Sequence, residues 1–289
     1  MRKSRTHKSE HKNAKPERLH RRARERGVSP HAYALARLLV TIWVRVWFHA
    51  RLSGAENLPA KGAAIITPNH KSFFDAFFVG VAAPRPVRFM AKTELMESPL
   101  GWLFIRLGAF PVRRGEADVE AMKTAQILLE QGELVVIFPE GTRVDDVDAL
   151  GRPHHGAGRL ALTTGAPTVP TAITGTHRLW LGPLPKPRRV QLAFLPAVAA
   201  EEIGEEPDAV AVLVDEHVWP AVRREYGRQL ARPGLILTAL AAIGLGAGAL
   251  ARRQARTQPR LLGVIESKKV RKQKARAKLF QHLKAMFRA

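Results

Sequence analysis

No cysteine occurs among the 289 residues. Disulfides, thiolate metal ligands and a cysteine nucleophile are therefore excluded, and the absence agrees with a reducing compartment. Acidic residues are scarce at both ends: Met1 to Pro30 holds 3 against 11 Lys/Arg, and Arg252 to Ala289 holds 1 against 13. Residues 31–251 hold 21 against 23, so the formal charge of +22 resides almost wholly in two arms around a nearly neutral body. Blocks of like charge repel and bury little, so each arm is expected to be flexible or only conditionally helical and to seek a polyanion. The arms also lack the interleaved aromatics on which a single-strand binder stacks bases. An anionic membrane surface is the expected partner, and nucleic acid is not.

Long apolar runs are few as well. Gly234 to Ala251 has 18 residues without a charge, a marginal length for a membrane span, and four glycines weaken it as a helix. A single span there would place the two basic arms on opposite faces of a bilayer, so an interfacial or hairpin-like association is expected. Ala32 to Ala50 is apolar and carries Trp43, Trp47 and Phe48. Besides Tyr33, its polar side chains are Arg37, Thr41, Arg45 and His49, a narrow stripe at i, i+4 on a wide apolar surface. That pattern suits a helix lying in a membrane interface with its arginines snorkelling to phosphates. The arginines and the long charged lead-in set it apart from a cleavable signal. The expected organisation is a basic arm over 1–30, an interfacial helix over 31–51, a catalytic domain over 52–232, an apolar membrane-associated segment over 233–251 and a basic arm over 252–289.

The body has no internal repeat and alternates short apolar runs with helical periods. Strands are expected over Ala63 to Thr67, Val87 to Ala91, Ala109 to Val112, Leu134 to Phe138, Thr168 to Ile173 and Val190 to Leu195. Helices are expected over Phe73 to Val81, Leu100 to Leu107, Ala117 to Glu130, Gly158 to Thr164 and Asp208 to Leu230, with Gly132 closing the third. The fold class is α/β, one mostly buried sheet flanked by helices.

Two stretches carry chemistry. Asn69-His70-Lys71-Ser72-Phe73-Phe74-Asp75 follows an apolar run and Pro68, which places His70 on a turn at a strand end. Asp75, five residues on, is close enough to accept from one imidazole nitrogen and leave the other as a base. The spacing of Ser72 and Asp75 is equally that of a capping box at the start of the next helix. The second stretch, Leu134 to Phe138 then Pro139-Glu140-Gly141-Thr142-Arg143, reads as a buried strand opening into an anion site. Exposed backbone N–H groups around Gly141 and the fork of Arg143 would hold a phosphate, with Glu140 holding that arginine or accepting from a substrate hydroxyl. A surface pair of Glu140 and Arg143 on an ordinary turn is the plainer alternative. His154-His155 has no carboxylate or cysteine at ligand spacing, so no metal site is expected.

Together, His70 with Asp75 and the later Phe138-Pro139-Glu140-Gly141-Thr142-Arg143 resemble the glycerolipid acyltransferase family, in particular its 1-acylglycerol-3-phosphate acyltransferases. Two further blocks are similar to that family in the same order: Lys92-Thr93-Glu94-Leu95 continuing to Phe110-Pro111-Val112-Arg113-Arg114, and Gly165-Ala166-Pro167-Thr168-Val169-Pro170-Thr171. The resemblance, over roughly 55–200, implies that His70 is the general base oriented by Asp75. It implies acyl transfer from acyl-CoA or acyl carrier protein to a lysophospholipid acceptor, without an acyl-enzyme and without a cofactor. It further implies that Glu140, Gly141, Thr142 and Arg143 hold the glycerol phosphate, with Lys92 and one of Arg113 or Arg114 adding charge, and that Val169 and Pro170 line the acyl region. The expected location is the cytoplasmic face of the cell membrane. His70 should lie within reach of Asp75 and face the 140–143 turn across a cleft, on the side nearest 32–50.

Overall fold

The computed structural model describes residues 16–113, 118–181, 184–204 and 208–231. The expectations for 233–251 and 252–289, and the placement of Arg114, lie outside them. The chain divides into two units. Residues 180–186 and 230–289 form one, whose described structure is an antiparallel ribbon of β7 (Trp180–Leu181) and β8 (Leu184–Pro185). The other, residues 1–179 and 187–229, holds everything that follows.

Its sheet has seven strands in the order β1-β9-β6-β2-β5-β3-β4. The strands are β1 (Arg51–Ser53), β2 (Ala64–Pro68), β3 (Val87–Lys92), β4 (Ala109–Val112), β5 (Leu134–Val136), β6 (Thr168–Thr174) and β9 (Gln191–Phe194). Strands β6, β2, β5, β3 and β4 run parallel, and β9 joins β6 antiparallel. The central β2 and β5 are buried along their whole length, which explains why they read as unbroken apolar runs rather than alternating ones. Ile66 and Val136 face one apolar layer, and Ile65 and Val135 face the other.

The first layer is closed by α2 (Pro30–Phe48) and α3 (Asp75–Ala82). An aromatic column joins them: Trp43 meets Phe48 and Phe74 at 4.8 and 5.6 Å between ring centres, and Phe48 meets Phe78 at 5.3 Å. Such buried ring pairs are each worth about 0.5–1.5 kcal/mol beyond the area they hide. The other face of α2 stays open, with Leu35, Leu38, Leu39, Ile42 and Val46 each more than half exposed. No described helix is long and apolar enough to cross a membrane.

The second layer is closed by α6 (Val119–Glu130) and α7 (Gly156–Thr164). A helix over 16–26, α1, lies against α6: His20 Nδ1 is 2.9 Å from Thr124 Oγ1, Arg24 pairs with Glu120, and Ala23 is buried. The later half of the predicted flexible arm is thus ordered by docking. Arg88, fully buried on β3, donates to the Ala23 carbonyl in the last turn of α1, where a cation complements the helix dipole. Short helices α4 (Thr93–Glu97) and α5 (Gly101–Arg106) connect β3 to β4.

Three features of these elements, two of them differences from the sequence reading, have physical reasons. The predicted helix over 208–230 is a short α8 (Ala209–Ala211), a π-helical stretch Val212–Val218 and α9 (Trp219–Leu230). Pro220 has no N–H to give, and the turn before it widens so that Trp219 N–H reaches the Val214 carbonyl. Pro170 sits in β6 between β2 and β9, an interior position where a strand proline requires a bulge. The β9 side bulges there: the pairing steps by one residue between Thr168–Val198 and Thr171–Phe194, so the missing N–H is tolerated. Strand β1, three residues long, was too short to register as a period.

Candidate active site

Parallel strands share one C-terminal edge, and the sequence-predicted residues of β2, β5, β3 and β4 collect there. His70 follows β2, Glu140 to Arg143 follow β5, Lys92 ends β3 and Arg113 follows β4. Crevices outside the carboxyl ends of parallel strands are where α/β sheets bind ligands.

The polar residues of the turn after β2 are buried: Asn69, His70, Lys71, Ser72 and Asp75 are each under 9% exposed. Asn69 anchors it by pairing its carboxamide with Ile173, accepting from the N–H at 2.7 Å and donating to the carbonyl at 3.0 Å. His70 Nδ1 lies 2.9 Å from Asp75 Oδ2. A carboxylate only accepts, so Nδ1 carries the proton and Nε2 is the basic nitrogen. The same Oδ2 accepts the N–H groups of Lys71 at 2.7 Å and Ser72 at 2.8 Å. The two readings of Asp75 thus hold together: one oxygen serves both the helix start and the imidazole, and Oδ1 has no hydrogen-bond partner. The capping box is half formed, because the Ser72 hydroxyl accepts from Phe74 N–H at 3.3 Å rather than from Asp75. Phe138 stacks on the His70 ring at 4.0 Å between centres and 27° between planes.

Beyond buried Ile137 and Pro139, the segment after β5 is open. Gly141, Thr142 and Arg143 are exposed, and Gly141 has φ +64°, which a side chain would strain. A Cβ there would also come within 3.1 Å of the His154 ring. Glu140 is the exception, only 4% exposed. Its Oε2 accepts from His70 N–H at 2.5 Å and its Oε1 from Gly151 N–H at 2.7 Å. The carboxylate thus joins the two segments directly, where a cleft was expected between them. Burial pushes its pKa up, opposed by those two N–H groups and by Lys71.

The other predicted residues are placed as follows. Lys92 is half-buried, and Arg113 keeps half its side chain exposed while its N–H donates to Asp118 at 2.8 Å. Val169 and Pro170 are buried within β6, with Val169 in the layer under α2 and α3. The adjacent His154 and His155 diverge, His155 pairing with Asp215 at 2.9 Å, and no group of metal-binding side chains occurs among the described residues. Sequence reasoning gave no role to Asn69, Lys71 or Tyr226. Asn69 and Lys71 stood inside the motif, but Tyr226 had no signal beyond its helical period.

A family model described as acyltransferase matches residues 49–174. A chloroplastic 1-acyl-sn-glycerol-3-phosphate acyltransferase of Arabidopsis thaliana is 32% identical over 149 residues, which are 50% of this chain and 41% of that protein. The chain thus spans less than half the length of that relative. A 1-acyl-sn-glycerol-3-phosphate acyltransferase of Pseudomonas aeruginosa is 31% identical over 191 residues, 61% of this chain and 72% of that one. The crystal structure of the 1-acyl-sn-glycerophosphate acyltransferase of Thermotoga maritima shares the fold, with a TM-score of 0.60 over 70% of this chain and 81% of the other at 23% identity.

Proposed function

Because the chain belongs to the acyltransferase family that includes the 1-acyl-sn-glycerol-3-phosphate acyltransferases, we propose that it moves a fatty acyl group from a thioester to the sn-2 hydroxyl of 1-acylglycerol 3-phosphate. The product is phosphatidic acid. The observation that carries this reading is the His70 Nδ1 to Asp75 Oδ2 contact of 2.9 Å, set beside the open Gly141 to Arg143 segment.

In the first step His70 Nε2 takes the acceptor's hydroxyl proton as that oxygen bonds to the thioester carbonyl carbon. The tetrahedral oxyanion collapses, the carbon–sulfur bond breaks, and the thiolate of CoA or of acyl carrier protein recovers the proton from the imidazolium. Asp75 stabilises that imidazolium in a site from which water is largely excluded. The acceptor phosphate rests on the exposed loop through the fork of Arg143 and the Thr142 hydroxyl, since the Gly141 and Val144 N–H groups are already given to the Phe138 and His70 carbonyls. Glu140, engaged with two backbone N–H groups, holds the loop in place; Lys92 and Arg113 supply charge at the same sheet edge.

The open apolar face of α2, with exposed Arg45 beside it, rests in the headgroup region of a membrane, while Arg37 is given to the Ala83 and Pro84 carbonyls. The basic arms favour the anionic cytoplasmic leaflet. Replacing His70 with Ala and assaying transfer to lysophosphatidate in detergent tests the mechanism: turnover should fall by about 10²–10⁴, and near-normal turnover would sink it. Profiling several lysolipids on the unaltered protein tests the acceptor, and preference for one lacking a phosphate monoester would overturn that part.

A further inference from the structure

Lys71 stands beside His70, its ammonium is given to loop carbonyls rather than to the imidazole, and the residue is only 6% exposed. An ammonium carries three donors and tolerates burial only when they are used. Here Nζ donates to the Asp146 carbonyl at 2.6 Å and to the Ala149 carbonyl, and lies 5.4 Å from the centre of the Tyr226 ring. The Tyr226 hydroxyl donates to the Val147 carbonyl at 2.6 Å, between the two carbonyls that Lys71 takes. All three carbonyls belong to a loop that is otherwise exposed.

The same loop is tied to the catalytic turn at its ends. Val144 N–H donates to the His70 carbonyl at 2.9 Å, one residue from Arg143, and Gly151 N–H donates to Glu140. Lys71 N–H meanwhile donates to Asp75 Oδ2. One residue therefore holds the dyad with its backbone and the Arg143 loop with its side chain. Carboxylates surround the ammonium: Glu140, Asp146, Asp75 and Asp148 offset the downward pull of burial on its pKa.

Resting on the acyltransfer reading above, we propose that Lys71, backed by Tyr226, is a positioning residue that fixes Arg143 relative to His70 and so selects acceptors by the spacing between their hydroxyl and their phosphate. Lys71→Met keeps the aliphatic stem and deletes the ammonium. It should raise KM for lysophosphatidate about tenfold, leave KM for acyl-CoA unchanged, and shrink the preference for lysophosphatidate over a phosphate-free monoacylglycerol. Lys71→Arg, which can still donate to both carbonyls, should recover most of that KM. Amide hydrogen exchange, read without turnover, should quicken over 143–151 in Lys71→Met and not in Lys71→Arg. An unchanged acceptor KM, a fall in kcat alone, or unaltered exchange over 143–151 would overturn the proposal. Should Lys71→Met fail to fold, Tyr226→Phe removes only the hydroxyl on Val147 and gives the same readings at smaller amplitude. The unaltered protein separates the two levels: if it transfers no acyl group to lysophosphatidate the acyltransfer reading fails, whereas an active unaltered protein beside a normal Lys71→Met fails only the role of Lys71.

Discussion

The two turns that leave β2 and β5 lie side by side and are built on opposite plans. The turn after β2 is buried apart from half-buried Phe73; Asp75 Oδ2 gathers three of its N–H groups, and Asn69, the His70 N–H and the Lys71 ammonium find partners in neighbouring elements. The loop after β5 is exposed from Gly141 to Ala149 apart from half-buried Val144, and borrows its order from outside through Glu140, Lys71 and Tyr226. The contrast follows the tasks proposed for them. A base works best held rigidly away from water, where a charge that appears in the transition state meets fixed dipoles. An anion site needs open donors that a ligand can reach, and therefore needs a scaffold elsewhere.

Four experiments break or sharpen this contrast, the largest effect first. Asp75→Asn should keep an acceptor on Nδ1–H but remove the charge that meets the imidazolium. Turnover should drop by about 10² or more, read as kcat with little change in either KM; a mainly KM effect would mean that the buried turn binds rather than reacts. Glu140→Ala removes the carboxylate to which the His70 and Gly151 N–H groups donate. Each unsatisfied donor costs about 1–3 kcal/mol, so denaturant unfolding should show a loss of roughly that size for each. An unchanged midpoint would mean that the open loop does not depend on this carboxylate.

Arg143→Lys keeps the charge and loses the fork. KM for lysophosphatidate should rise about tenfold with kcat preserved, and an equal rise with a phosphate-free acceptor would remove Arg143 from the anion site. The smallest effect asks whether both turns are insulated from the docked α1. Burial lowers the His20 pKa below 6.5, opposed by Asp118 and Glu120 and reinforced by Arg24 and Arg113. The docked state therefore prefers the neutral ring: its contribution is present above pH 6.5 and is lost as pH falls toward the lower docked value. Hydrogen exchange over 16–26 should quicken on acidification through that window, and His20→Asn should flatten the response. If exchange over 69–75 quickened in parallel, the turns would not be insulated.

Much of the site was legible because its residues sit at fixed offsets from strand ends. Pro68 and Pro139 each close a buried apolar run, so the sequence alone placed His70 and Glu140 at a sheet edge. Asp75, five residues on, could be read as either a cap or an orienting partner, and the structure shows its single Oδ2 doing both. The role of Glu140 was not legible. A carboxylate beside glycine and arginine looks like a ligand group, and only its neighbours 70 and 11 residues away in sequence show where its oxygens go. Tyr226 lies 79 residues from Val147, and no local pattern encodes such a contact. Helix α1 was expected only as a conditional helix, and its docking was not legible for a similar reason. Its charge argued for a free arm, and its order comes from Thr124, Glu120 and Arg88 in distant elements.

By itself the sequence determined the alternation of strands and helices, the exposed apolar stripe of α2 and the pairing of His70 with Asp75. These are matters of period and short spacing, which backbone geometry converts directly into faces and turns. Tertiary structure decided the strand order, the docking of α1, the bulge that admits Pro170 into an interior strand, and the lacing of Lys71 to the 146–149 carbonyls. Those depend on which distant groups meet once the sheet has closed. Burial then leaves each remaining donor and acceptor to find a partner across the fold.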